Sequence, residues 1–243
     1  MALTYALLAA FLFALSVPLG KTLMNSLQPL ELSALCYLGS GLGLLVYKLL
    51  NWGHNTYFSE NRCCVPEAPL EKKDLPYVVG FTLAGGVLAP AFLFMGLKLS
   101  PSSSASLLLN FELVFTALIA VMFFKEHGGR RFWFAACLVT AGGMALSFEP
   151  ATVKPGLVLV ALASPSLMWA VDNNLTAKIS LKDPVNIAVI KGLAGGSVTL
   201  GLAVYSGENM PALKPVLLAL LLGFACYGVS LVFLIRAMRE LGA

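Results

Sequence analysis

The sequence predicts an all-α integral membrane protein with eight transmembrane helices, arranged as a five-helix unit followed by an inverted, incomplete second copy. Three observations predict it. Hydrophobic residues make up 58% of the 243 positions and charged residues only 12%, more apolar surface than one soluble core of this length can hide. This surface is gathered into runs of about 20 residues, each able to cross a hydrocarbon layer of roughly 30 Å as a helix. The runs cover 3–24, 30–50, 75–98, 102–124, 131–149, 156–178, 184–206 and 215–236, and after the fifth the pattern begins again.

The first run holds the apolar stretch Ala6 to Val17 with no basic segment ahead of it and seven spans behind it, so it reads as a retained helix rather than a cleaved signal. The second carries Gly39 and Gly43, and the seventh Gly192 and Gly196. Small residues four apart let two helices approach closely, for packing or for sliding during a transport cycle. Between the second and third runs lies the long connection from Asn51 to Asp74, with mixed charges, Pro66 and Pro69, read as a flexible link without a site. Pro18, Pro90 and Pro165 fall inside helices, where each bends the helix or frees a carbonyl. A continuous run such as Leu217 to Leu222 lacks the alternation of a transmembrane barrel.

Basic residues set the expected orientation. Lys48, Arg62, Lys72, Lys73, Lys125, Arg130, Arg131, Lys178, Lys182, Arg236 and Arg239 fall on one side, against Lys21, Lys98, Lys154 and Lys214 on the other. Both termini are therefore expected in the cytoplasm, with the chain in the plasma or inner membrane. The net charge of +4 then reflects topology, and no nucleic-acid partner is implied. Cys36, Cys137 and Cys226 lie in helices, Cys63 and Cys64 are adjacent in a loop, and His54 and His127 have no ligand-type neighbours. Reduced thiols without a metal or other cofactor are expected.

The repeat has a register. Phe13-Ala14-Leu15 matches Trp169-Ala170-Val171, Pro29-Leu30 matches Pro184-Val185, and Phe92 to Lys98 matches Phe233 to Arg239. Two domains follow, 1–149 complete and 150–243 holding helices six to eight. Five is odd, so the second copy is inverted in the membrane, the arrangement of many secondary transporters. No counterpart of Ser102 to Glu149 follows Ala243: either the protein has eight helices, or this chain is a fragment lacking helices nine and ten, and the abrupt stop favours the fragment.

Several polar groups lie inside these helices. Glu112 is ten residues into helix four, about 15 Å deep, where a carboxylate costs roughly 2.5 to 3.5 kcal/mol on insertion scales. It is either a proton-coupling group or a hydrogen-bonded packing residue. Asn110 is about 200° away around a regular helix, on a stripe with Ser103 and Ser106, so the two share a cavity only if the helix is distorted; Asn110 is the better placed to line a wet path. Asp172, Asn173 and Asn174 in helix six and Lys191 in helix seven sit at matching depths. An Asp172–Lys191 pair is expected, as gate, substrate site or structural contact. Trp169, one turn from Asn173, is placed to pack on a substrate or on its neighbours.

The stretch from Ala91 to Leu118, with Leu99-Ser100-Pro101-Ser102-Ser103-Ser104-Ala105-Ser106 and Asn110-Phe111-Glu112 at its centre, and its close at Phe124-Lys125-Glu126 resemble the EamA-type domain of the drug/metabolite transporter superfamily. Trp169 to Thr176 and Ile190 to Leu193 resemble that family's sixth and seventh helices, and with the repeat the likeness spans nearly the whole chain. The resemblance implies ten helices in two inverted units and alternating-access movement, commonly export, of a small organic metabolite or drug. Many members carry an Arg in helix two where this chain has Tyr37-Leu38, so that contact does not carry over. Three functions are open: a secondary transporter, coupled to protons or to another solute; a non-transporting accessory or assembly protein, or inactive fragment, closed by a second copy in a homodimer or by missing helices; and an intramembrane enzyme. The last lacks every hydrolase and metalloprotease signature sought. No enzyme activity is expected.

Overall fold

Helix boundaries in the computed structural model follow local chemistry. The structure describes residues 2–55, 69–125, scattered positions from 129 to 141, 155–207 and 211–241. The expected fifth helix, Cys63, Cys64 and His127 lie largely or wholly outside the described residues. Helix α1 is Ala2–Leu23 and α2 is Pro29–Asn55. Rod α3 runs from Lys72 to Leu99 as a short 3₁₀ turn, Lys72–Asp74, then helix Leu75–Phe81, a π-helical turn Thr82–Leu88 and helix Ala89–Leu99. Two shorter pieces, α4 (Ser102–Leu108) and α5 (Phe111–Phe124), are followed by α6 (Pro155–Lys178) and α7 (Pro184–Tyr205). Rod α8 combines Leu213–Leu222, a π-helical turn Gly223–Val229 and Ser230–Leu241.

Among the described residues five helices are long and apolar enough to cross a membrane: Ala2–Leu23, Pro29–Leu50, Lys72–Leu99, Pro184–Tyr205 and Leu213–Arg239. Eight were expected. Helix α6, with 24 residues, is interrupted by Ser164, Ser166, Asp172, Asn173 and Asn174. The expected fourth span is corrected to two pieces, because the chain turns at Leu109 and Asn110.

Two breaks in regular helix have identifiable causes. Pro90 lacks an N–H and its ring would strike the carbonyl four residues back, and the π turn lies directly ahead of it, with Ala89 N–H bonding to Ala84 O. Rod α8 has the same turn without a proline. There, glycines admit a neighbouring backbone: a Cβ on Gly223 would lie 1.9 Å from Cys36 O.

The helices touch at their glycines. A Cβ on Gly41 would meet Leu193 N at 2.6 Å and Leu193 Cγ at 2.8 Å, and one on Gly196 would meet Leu38 N at 2.6 Å and Leu38 Cγ at 2.8 Å. Helices α2 and α7 therefore cross through two reciprocal contacts. Gly192 joins the crossing against Gly41, whereas Gly39 and Gly43 face Leu220 and Phe224 of α8. All four expected packing glycines are tight, but the two pairs serve different interfaces. Outward faces are apolar: Leu3, Leu7 and Phe11 at one-turn spacing are exposed, as suits a surface solvated by hydrocarbon chains.

The connection between α6 and α7 is tied down by charge. Asp183 caps α7, accepting from Val185 N–H at 2.8 Å and Asn186 N–H at 3.3 Å. Lys182 Nζ lies 3.2 Å from both Asp74 and Glu71 and donates to Pro69 O at 2.8 Å. Arg239 of α8 donates to the carbonyls of Ser180 and Lys182. The end of the long connection, expected to be free, is thus anchored. Hydrogen bonds from Lys73 and Lys182 hold the Glu71 carboxyl below its usual range. The backbone N–H of Glu71 and then Lys182 do the same for Asp74. Burial opposes the Lys182 ammonium, but its bonds to Asp74 and Glu71 win and raise its pKa.

Candidate functional site

Three consecutive polar residues on α6 fan out because each step turns about 100° around the helix. Asp172 faces α3 and α7, where Lys191 Nζ bonds to its Oδ2 and Thr176 Oγ1 donates to its Oδ1 at 3.0 Å. Asn173 turns to α5 and donates from Nδ2 to Glu112 Oε1 at 2.7 Å. Asn174 binds backbone, donating to Thr116 O at 3.0 Å and Ala170 O at 2.9 Å. One short run thereby ties a hairpin partner, a carboxylate and the α5 main chain to a single helix.

The Asp172–Lys191 pair is buried, with Asp172 3% and Lys191 2% exposed. Room for it comes from α3. A Cβ on Gly85 would lie 1.9 Å from Asp172 Oδ2, and one on Gly86 would meet Lys191 Cγ at 3.4 Å. Lys191 Nζ also lies 5.4 Å from the centre of the Phe81 ring. Tyr37 donates its hydroxyl to Gly85 O, a carbonyl within the π turn. The glycine pair and the break in regular helix are therefore part of the ion-pair site.

A cavity of about 210 Å³ opens beside the pair. Phe13, Tyr37, Trp169 and Tyr227 supply its rings, and Glu112, Asp172, Asn173 and Lys191 its strongest polar groups. The rings support one another: Phe13 meets Trp169 edge-on at 5.2 Å and Tyr227 at 5.7 Å, while Tyr37 and Tyr227 are 5.4 Å apart. A second cavity of about 350 Å³, more open, shares Glu112 and Asn173 and adds Asn110, Thr116 and the flank of α8.

Five of the six expected pathway residues, Glu112, Asp172, Asn173, Lys191 and Trp169, meet at the first cavity. Asn110 lines only the second. The turn at Leu109 and Asn110 is the distortion on which their sharing a site depended. Glu112, in the first turn of α5, lines both cavities, whereas Asn110 lines the more open one. Sequence reading missed Phe13, Tyr37, Ser40 and Tyr227 in the lining, and Gly85 and Gly86 behind the pair. Only the adjacent glycines within a transmembrane run offered a signal for close backbone approach.

Comparison with known proteins agrees with this architecture. The model of the EamA-like transporter family matches residues 1–148. A protein of Methanothermobacter thermautotrophicus described as an uncharacterized transporter is 26% identical over 243 residues, covering 97% of this chain and 71% of that protein. A solved crystal structure with 16% identity superposes at a TM-score of 0.71, covering 98% of this chain and 79% of the other, a likeness of fold alone. The family is one of transporters, not of enzymes. An all-α, multi-pass membrane chain with this family's pattern over its first 148 residues belongs to the EamA-like transporter family.

Proposed function

We propose that the protein is a secondary transporter, working in the direction of export, that moves a small organic solute by alternating access between two inverted repeats. The observation that carries this reading is the cavity between the helices, where a carboxylate, an ion pair and four aromatic rings converge. Buried charge in a bilayer is costly and is ordinarily retained for use. Glu112 is the coupling group in this reading, the Asp172–Lys191 pair holds α6 to α7 at the site, and Trp169 packs on the solute.

The repeat is supported by two correspondences. The π turns at Thr82–Leu88 and Gly223–Val229 stand at the offset that matches Phe92 with Phe233, and the Gly41–Leu193 and Gly196–Leu38 contacts exchange under the offset that matches Pro29 with Pro184. Residues 1–149 form the first repeat, and 150–243 carry second-repeat helices. The excess of Lys and Arg on the side of the α6–α7 connection favours a cytoplasmic location for that side.

Flux into and out of proteoliposomes, measured over a metabolite panel with imposed pH gradients, tests this reading. Transport should respond to the gradient, and Glu112→Gln should flatten its dependence on pH. An unchanged pH profile removes Glu112 from coupling, and no gradient-dependent flux of any solute overturns the transporter reading.

A further inference from the structure

We infer that the aromatic-walled cavity selects a small organic cation bearing one positive charge and a single ring or compact alkyl group. The inference rests on the transport reading for movement of the ligand but not for its binding.

The charge on the cavity wall is the first argument. Its ionisable residues other than tyrosine are Glu112, Asp172 and Lys191. Asp172 and Lys191 neutralise each other in a direct ion pair. Glu112 accepts a hydrogen bond from the neutral Asn173 amide, and among the described residues no salt bridge to it is formed, the nearby Lys191 being bonded to Asp172. One carboxylate therefore faces the cavity without a counter-ion, and a ligand with one positive charge supplies it. A zwitterion needs a cation for its own carboxylate. Lys191 can provide that only by dividing its single charge between two carboxylates, which leaves Asp172, 3% exposed, without full compensation. An anion would stand against Glu112.

The rings are the second argument, and independent of the first. Phe13, Trp169, Tyr37 and Tyr227 form one continuous wall through contacts of 5.2 to 5.7 Å. Ring faces carry negative potential and attract organic cations, most strongly where water is excluded. The Tyr37 hydroxyl proton is engaged by Gly85 O, so the residue contributes its ring rather than a competing donor. Size is the third constraint. At about 210 Å³ the cavity lies below the roughly 300 to 1,000 Å³ of sites for drug-sized molecules.

The test uses the full chain in lipid nanodiscs, with Trp52 and Trp133 replaced by Phe so that Trp169 reports from the cavity wall. The probes are benzyltrimethylammonium, its uncharged isostere neopentylbenzene, phenylalanine and phenylacetate. Saturable quenching by the cation, with the other three binding at least about tenfold more weakly, is expected. Glu112→Gln should weaken the cation by about tenfold or more and Glu112→Asp should retain much of its affinity. Equal binding of the uncharged isostere, tighter binding of phenylalanine, or a well-folded Glu112→Gln variant with unchanged cation affinity would overturn the inference. Flux in proteoliposomes separates the two readings. Cation binding without flux defeats transport and leaves the site, whereas flux of zwitterions without cation binding defeats the site and leaves transport.

Discussion

The helix pairs α1–α2 and α6–α7, whose second members cross each other at the centre, share a scaffold and differ in charge. Under the repeat proposed above, Asp172 falls on Ser16 and Lys191 on Cys36. All four are buried, Ser16 and Cys36 completely. Backbone contacts between α2 and α7 are nearly interchangeable, whereas a buried ion pair joins α6 to α7 where α1 and α2 have Ser16 and Cys36. Close glycine packing depends on backbone shape alone, which both halves retain. Chemistry needs only one set of charged groups, and a second set would double the desolvation cost.

The contrast can be broken most forcefully at the charged pair. Lys191→Met leaves Asp172 buried without a partner and should cost about 3 to 5 kcal/mol, with Lys191→Met/Asp172→Asn recovering a large part; unfolding in mild detergent checks both. If the double variant is no more stable than the single, the pair is not what holds the charge. The shared scaffold comes next. Gly41→Ala and Gly196→Ala each push a methyl group against a backbone nitrogen 2.6 Å away and should each cost about 1 to 3 kcal/mol. Their similarity is the sharper prediction, since a large difference between their melting shifts would contradict the reciprocal crossing. Cys36→Ala, at the first-half counterpart of Lys191, should cost only about 1 kcal/mol through lost packing.

The smallest effect is expected at the α6–α7 connection. Asp74 and Glu71 have pKa values lowered on folding, so their contribution is fully present above the ordinary carboxylate range and is lost as pH falls through the lowered values. Lys182, with its pKa raised, contributes below its ordinary range and loses that contribution as pH rises through the folded value. Asp74→Asn should therefore lower stability slightly at neutral pH, where the ionised carboxylate contributes, and reduce the further loss of stability below about pH 4. An unaltered acid limb in a pH series of melting curves would show that the connection is held by other contacts.

Much of this was legible in the sequence, for reasons that differ by residue. Spans such as α1 and α7 announce themselves because a bilayer demands length and apolarity, and the Asp172–Lys191 pair followed from matching depths in consecutive antiparallel helices. The break at Asn110 was not legible. Ser102 to Phe124 is apolar enough for one span, and the turn is a matter of tertiary packing in which Ser166 Oγ bonds to Leu108 O at 3.1 Å. The aromatic wall was hidden for a related reason: Phe13, Tyr37 and Tyr227 come from three helices, and nothing in their spacing along the chain says that they meet. The link from Asn51 to Asp74 looked free because its anchor, Lys182, lies more than a hundred residues away.

The ion pair also bears on how the chain enters the membrane during synthesis. Asp172 and Lys191 are 19 residues apart, on helices joined by the short stretch 179–183. Each charge alone would burden its helix, by at most roughly the 2.5 to 3.5 kcal/mol that applies at the bilayer centre. Emerging one after the other, the two helices can pair their charges while still at the insertion machinery and move into lipid together as a neutral hairpin. Separating them by even one helix would oblige each charge to enter alone.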